Sequence, residues 1–237
     1  MDQQTRDGLM SISVATVTMQ LLKKGIRNTW MAGVLPLNTP AKRIVAPAYT
    51  LRFVPYREDL VSLENLSSPD NAQRRAIEET TEGAVLVIDG RGRDDIAVLG
   101  DILIERLKVR GVAGLITDGG IRDLEECKSS GFSMYGAGAA GPASLVGHAP
   151  AEIQCTIGCG GISVVPGDII VADSDGVVVV PKHLAVDVAR DGVEQERFER
   201  FAKMKVSKGA PAHGTYPPND QTKADYQTWI KDGEPDL

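Results

Sequence analysis

A chain of 237 residues with 42% hydrophobic and 24% charged residues has ordinary globular composition and can bury a substantial core. Its net charge of −6 excludes a binder that relies on a broad positive surface to hold nucleic acid, and Lys23-Lys24 and Arg74-Arg75 read as isolated, solvated helix faces. No apolar run approaches the ~18–20 residues of a membrane helix, Met1-Asp2-Gln3-Gln4 lacks the features of a secretory signal, and three cysteines make no disulfide framework, so the cytoplasm is expected.

Residues 10–24 carry Ile12, Val14, Val17, Met19, Leu21 and Leu22 and predict a helix ending near Gly25. Residues 44–54 are β-rich, and Ser67-Ser68-Pro69-Asp70 reads as the start of a polar helix running to about Thr80. Ala84-Val85-Leu86-Val87-Ile88 is a short apolar run of the kind that forms a buried strand. A helix is expected at 97–110, a second buried strand at 113–117, a helix at 121–130 and a short β segment at 132–135. This alternation predicts right-handed βαβ units and a largely parallel central layer, with ligands gathering beyond the carboxyl ends of the strands. From Ile153 the pattern turns to strands and turns, with Asp175-Gly176 as a tight hairpin before Val177-Val178-Val179-Val180. A charged helix is expected at 182–205. The tail from Gly209, with Tyr216-Pro217-Pro218, reads as an extended arm closed by a short helix near Tyr226 and Trp229.

The spacing that carries chemistry is Asp101 followed, twenty intervening residues later, by Arg122-Asp123, each placed where a predicted strand gives way to a helix. Taken singly, Asp101 can serve a helix N-terminus and Arg122 and Asp123 can form a surface ion pair. Taken together, two carboxylates and a guanidinium can hold a divalent ion and an anionic substrate. Magnesium and manganese take oxygen ligands, and magnesium often uses only one or two protein carboxylates. Arg122 offers a planar fork for a carboxylate or oxyanion. The amides near Gly100, Asp101, Ile102 and Leu103, at a helix start, can receive a substrate carboxylate, and Gly100 permits close approach.

Other features carry less. No lysine lies in the strongly apolar strands, which argues against a Schiff-base enzyme. Cys155, Cys159 and His148 lack the spacing and fourth ligand of a zinc site. His183 and His213 read as surface groups, and Gly136-Ala137-Gly138-Ala139-Ala140-Gly141 reads as a structural turn rather than a nucleotide loop.

Four features in order, Asp101-x20-Arg122-Asp123, Gly119-Gly120-Ile121-Arg122-Asp123, Val165-Pro166-Gly167-Asp168 and the run from Ala172 to Pro181, together resemble the RraA-like family. That family includes the regulator of ribonuclease activity A and the class II 4-hydroxy-4-methyl-2-oxoglutarate aldolases. The resemblance spans about residues 10–205. It implies a single-domain α/β fold, the α/β/β swivelling phosphohistidine-domain type, over residues 1–205, with 206–237 as a C-terminal extension docked on its own or a neighbouring subunit. It also implies a homotrimer or hexamer with active sites between subunits.

The resemblance further implies that Asp123 binds Mg2+ or Mn2+ directly and that Asp101 orients metal-bound water. The substrate is then a small 2-oxo acid, cleaved to pyruvate through an enolate that Arg122 and the ion stabilise, and oxaloacetate decarboxylation passes through the same enolate. A glutamate from the neighbouring subunit's C-terminal region completes the site in the aldolases; of Glu194, Glu196 and Glu199, Glu196 is the expected equivalent. The segment from Tyr135 to Pro142 departs from the arginine-glycine-threonine run common in the family, which leaves the particular 2-oxo acid open. The rival reading is a non-catalytic regulator that binds a ribonuclease through an acidic surface without contacting RNA.

Overall fold

A computed structural model of the chain describes residues 1–59, 61–62, 64–65 and 68–235. The apolar run at 84–88 forms β3 (Val85–Asp89), and the next forms β5 (Gly114–Thr117); both are buried along nearly their whole length. With β7 (Met134–Gly136) and the long β2 (Ile44–Pro55) they make the parallel part of the main sheet, in register Ala48↔Val85, Val85↔Gly114 and Leu115↔Met134. The sheet is mixed rather than largely parallel, and β10 (Ile157–Cys159) and β11 (Ile162–Val164) form a separate antiparallel pair. β1 (Leu35–Pro36), β9 (His148–Ile153) and the hairpin of β12 (Ile169–Asp173) and β13 (Gly176–Val180) join it antiparallel, in the order β1-β7-β5-β3-β2-β12-β13 with β9 also on β2. The length of β2 explains this: its first residues pair with β12, its middle with β3 and its end with β9, so one strand bends the sheet towards a barrel.

A second, three-stranded parallel sheet consists of β4 (Ala97–Leu99), β6 (Gly120–Ile121) and β8 (Gly138–Ala139). β4 and the last residue of β6 fall in segments that the sequence assigns to helices, at 97–110 and 121–130, and β8 falls in the Gly136–Gly141 run read as a structural turn. They are too short for their period to show, and a strand of two or three residues forms here because its neighbours supply the hydrogen bonds. The corresponding helices are shorter: α4 is Asp101–Val109 and α5 is Leu124–Ser129.

The single helix expected at 10–24 is two helices, α1 (Gln3–Ser11) and α2 (Val14–Lys23). Ser13 breaks them by capping: its side chain accepts from the Thr16 amide and stops α1 from running on. The polar helix is α3 (Ala72–Glu79), capped by Asn71, and residue 67 of its predicted start lies outside the described residues. The charged helix begins as α6 (Ala185–Ser207) after a 3-10 turn, Lys182–Leu184. After it, α7 (Asp220–Lys231) folds back on α6 of the same chain through Phe201, Tyr226 and Trp229, with Arg200 beside both Trp229 and Glu234.

Helices α3, α4 and α5 cover one face of the main sheet, closing a core of Leu86, Ile88, Ile104, Leu107 and Leu115. On another side α1, α2 and α6 pack on β12 and β13. Among the described residues, no helix is long and apolar enough to cross a membrane.

Candidate active site

The small sheet positions the candidate residues. β4 and β6 run parallel with Leu99 opposite Ile121, so the residues that follow them, Gly100-Asp101 and Arg122-Asp123, leave the same edge side by side. The Arg122 amide donates to the Leu99 carbonyl at 3.0 Å and locks this register. Gly120 lets β6 seat so closely: a Cβ there would stand 2.4 Å from the Ala140 Cβ and 2.9 Å from the Asp94 carbonyl oxygen.

Gly100 is the N-cap of α4, with extended backbone and no capping side chain. The Ile104 amide bonds the Gly100 carbonyl, leaving the amides of Asp101, Ile102 and Leu103 ahead of it without a partner in the helix. Those donors form the positive end of the helix dipole, a place suited to an anion. A Cβ on Gly100 would meet the Asp123 Oδ2 at 3.0 Å and the Arg122 Cβ at 3.4 Å, so the Asp123 carboxylate lies against the start of α4. Asp123 itself has left-handed backbone, φ 52° and ψ 42°, and caps α5 without a side-chain hydrogen bond. This conformation is costly for a residue other than glycine, and it turns the carboxylate away from its own helix.

One cavity of about 400 Å3 gathers Gly100, Asp101, Ile102, Leu103, Arg122 and Asp123. Arg122 and Asp123 are exposed and Asp101 is half-buried. Among the described residues, none of these three charged side chains makes a hydrogen bond or ion pair. The buried Cys127 thiol beneath them registers their field: burial first, then the charges of Asp101, Asp123 and Glu126, push its pKa up to about 11. Its Sγ donates to the Arg122 carbonyl at 3.3 Å and its amide to the Asp123 carbonyl, tying α5 to the turn.

The donor set suits a hard divalent cation. Among the described residues no three His, Cys, Asp or Glu side chains gather to cage an ion, so the available set is the two carboxylates with open positions for water and substrate oxygen, as magnesium tolerates.

Glu196 lies elsewhere in its own chain. Its Oε1 accepts from the Ser13 amide at 3.0 Å, the Ser13 hydroxyl at 3.0 Å and the Thr16 hydroxyl at 2.7 Å. Burial raises its pKa, but these donors, with Arg43 nearby, outweigh that and lower it. The neighbouring glutamates are also engaged, Glu194 with the Tyr226 hydroxyl and Glu199 with the Tyr216 hydroxyl and Gln195.

Further cavity residues escape the sequence reading: Gln73 and Arg74 from α3, and Ala143, Ser144 and Leu145. Gln73 is buried, and its side-chain amide donates to the Val98 carbonyl at 2.5 Å, fixing α3 against β4. The Arg74-Arg75 pair is not one solvated face. Arg75 forks onto Glu79, and Arg74 is half-buried among the residues that line the cavity. Helical period alone separates adjacent residues by about 100°, which is the one signal that could have split them.

Residues 13–179 match the RraA-like family, described as Aldolase/RraA. A Halalkalibacterium halodurans protein, provisionally named 4-hydroxy-4-methyl-2-oxoglutarate aldolase, is 31% identical over 187 residues, covering 77% of this chain and 80% of that protein. The crystal structure of Streptomyces coelicolor RraAS2, described as an unusual member of the RNase ES inhibitor RraA protein family, superposes with a TM-score of 0.78 at 32% identity, covering 86% of this chain and 98% of that one. An uncharacterized Pseudomonas syringae protein shares the fold with a TM-score of 0.77 at 24% identity, covering 91% of this chain and 98% of its own.

Proposed function

Because this chain belongs to the RraA-like family, we propose that it is a divalent-metal-dependent aldolase that cleaves a 4-hydroxy-2-oxo acid to pyruvate, with oxaloacetate decarboxylation as a second activity. One observation carries this reading: two carboxylates, a guanidinium and a helix start share one cavity, and among the described residues the three charged side chains are unspent. Arg122 and Asp123 are exposed and Asp101 is half-buried, so water solvates these charges and a ligand can take the place of that water.

Asp123 would hold Mg2+ or Mn2+ directly and Asp101 would reach it through water. Bound there, the ion supplies Lewis-acid polarisation of the 2-oxo group. The amides at the start of α4 receive the pyruvyl carboxylate, which fixes the C3–C4 bond relative to Arg122. Cleavage breaks that bond and leaves its electron pair on C3 as the enolate of pyruvate, while the C4 hydroxyl gives up its proton. Arg122 stabilises the negative charge on the enolate oxygen by a charge-assisted hydrogen bond. Asp101 orients the water that takes the hydroxyl proton, and a proton returned to C3 completes pyruvate. Decarboxylation of oxaloacetate needs the same stabilisation, with carbon dioxide leaving in place of the carbonyl product.

Ile102 and Val109, 78% and 69% exposed and lining one cavity on α4 beside Asp101, support a site closed by a neighbouring copy, as a trimer or hexamer would provide. The test is pyruvate release from oxaloacetate and from 4-hydroxy-2-oxo acids, with Mg2+ or Mn2+ and then excess EDTA, corrected for the metal's own catalysis. Protein- and metal-dependent release, lost in Asp123→Ala, is expected; undiminished turnover in that variant at saturating metal would sink the assignment. The S. coelicolor neighbour's membership of a ribonuclease-inhibitor family favours a second reading, a regulator that binds a ribonuclease. It predicts capture of a ribonuclease that survives Asp123→Ala, without turnover by the wild type.

A further inference from the structure

The two halves of the candidate site leave the main sheet at neighbouring strand ends. β3 ends at Asp89, and the chain runs from Gly90 through residues 91–96 into β4 and on to Asp101. β5 ends at Thr117, and only Asp118 and Gly119 separate it from β6, which delivers Arg122 and Asp123. Asp118 thus stands at the root of one half, and its carboxylate holds the root of the other. Its Oδ1 accepts from the Gly90 amide at 2.7 Å, and its Oδ2 from the Gly160 amide, in the turn between β10 and β11, at 3.1 Å.

The two exits pass in close contact around this clamp. A Cβ on Gly90 would stand 2.6 Å from the Gly119 nitrogen, and one on Gly119 would stand 2.7 Å from the Val98 Cγ1 in β4. The Gly119 amide is itself spent on the Thr117 hydroxyl at 3.0 Å. Asp89 lies beside Asp118. Burial foremost pushes its pKa up, and the charge of Asp118 adds to that against the Arg91 amide, which donates to it at 2.9 Å. Negative charge at 118 is therefore a local cost, and what the position uses is a side chain with two acceptor oxygens.

We propose that Asp118 is a positioning residue: its clamp on the Gly90 and Gly160 amides sets the spacing between Asp101 and the Arg122-Asp123 pair, and with it the metal affinity of the site. This rests on the metal-dependent reading and adds a residue outside the aspartate-arginine-aspartate pattern. Asparagine has the same shape but one acceptor oxygen, so its NH2 group opposes one of the two amides. The exits then part, and an ion that uses both carboxylates loses binding. Asp168 is the control. Its carboxylate also accepts from two amides, Val165 at 2.9 Å and Lys182 at 3.3 Å, but outside the site.

Calorimetric Mn2+ titration, melting temperature and amide hydrogen exchange compare Asp118→Asn with Asp168→Asn. Asp118→Asn is expected to bind Mn2+ roughly tenfold more weakly, the low end of what a supporting contact contributes to a metal site. Its Arg122 amide, which bonds the Leu99 carbonyl, should exchange faster. Asp168→Asn should keep wild-type Mn2+ affinity at a comparable change in melting temperature. Wild-type Mn2+ affinity in Asp118→Asn, or an equal loss in both variants, overturns the inference. So does loop-like exchange of the Gly90 and Gly160 amides in wild type, a measurement that needs no variant to fold. If Mn2+ binding weakens as expected but wild type releases no pyruvate, the clamp stands and the aldolase reading falls. Wild type that binds no Mn2+ removes the metal site and this inference with it.

Discussion

Lowering the pH to 5 should destabilise this protein through one side chain, His148. It opens β9, is 1% exposed, packs against Phe53 at 5.1 Å centroid separation with the rings tilted by 32°, and neither ring nitrogen has a hydrogen-bond partner among the described residues. Burial, followed by the charges of Arg91 and Arg93, outweighs Asp95 and lowers its pKa to about 4, against 6.5 for the free side chain. The folded state thus binds fewer protons than the unfolded chain. Stability is complete above pH 6.5 and falls as pH descends towards 4, where the loss levels off. Between pH 7.5 and 5.0 these two values give a loss of about 2 kcal/mol. Carboxylates held low by ion pairs, such as Glu78 with Arg106 and Glu234 with Arg197, give up their contribution only below their ordinary 4.5, outside this window. Urea unfolding at fixed protein and metal concentration, repeated across the window, measures the slope. In His148→Leu, which removes the titrating ring and its two orphan nitrogens, the slope should largely vanish while stability at pH 7.5 is retained. Parallel pH curves for the two proteins would refute the reasoning.

Three further outcomes follow from the site and its supports. Gly100→Ala has an allowed backbone, φ −136°, but sets a methyl group 3.0 Å from the Asp123 carboxylate; the fold should persist while Mn2+ affinity drops about tenfold or more, read by calorimetry. Arg122→Lys keeps the charge and loses the planar fork, so kcat/KM for pyruvate release should fall about ten- to a hundredfold, with metal affinity unchanged. Glu196→Gln keeps the side chain's shape and weakens three hydrogen bonds at the start of α2, which should cost about 1–2 kcal/mol in denaturant unfolding; a loss confined to Mn2+ affinity would instead favour the metal role drawn from the family resemblance.

The buried strands β3 and β5 were legible because each is a continuous apolar run between glycines, and the mixed α/β class followed from their alternation with helices. The small sheet was not legible. Ala97–Leu99 and Gly120–Ile121 are too short to show a period, and their pairing depends on partners far along the chain. The spacing of Asp101 from Arg122-Asp123 was visible, yet its geometric cause is this hidden sheet, whose parallel register sets Gly100 beside Arg122. Arg74 and Arg75 look alike in the sequence, but in the helix Arg75 pairs with Glu79 and Arg74 lines the cavity.

The charged helix α6 owes its side-chain roles to contacts far along the chain. Glu194, Glu196 and Glu199 look interchangeable on a helix whose sequence is dense in charge, and nothing local ranks them. Their partners lie 183 residues back at Ser13 for Glu196, and 32 and 17 residues ahead at Tyr226 and Tyr216 for the other two. Each carboxylate is therefore assigned by packing of α6 against α2 on one side and the C-terminal arm on the other. The candidate catalytic charges obey the opposite rule. Asp101, Arg122 and Asp123 have no such partners among the described residues; they stand where β4 and β6 give way to α4 and α5. Charge with a satisfied partner belongs to the scaffold in α6, and the charges kept without one at the start of α4 are those to which the proposed function assigns the ligand.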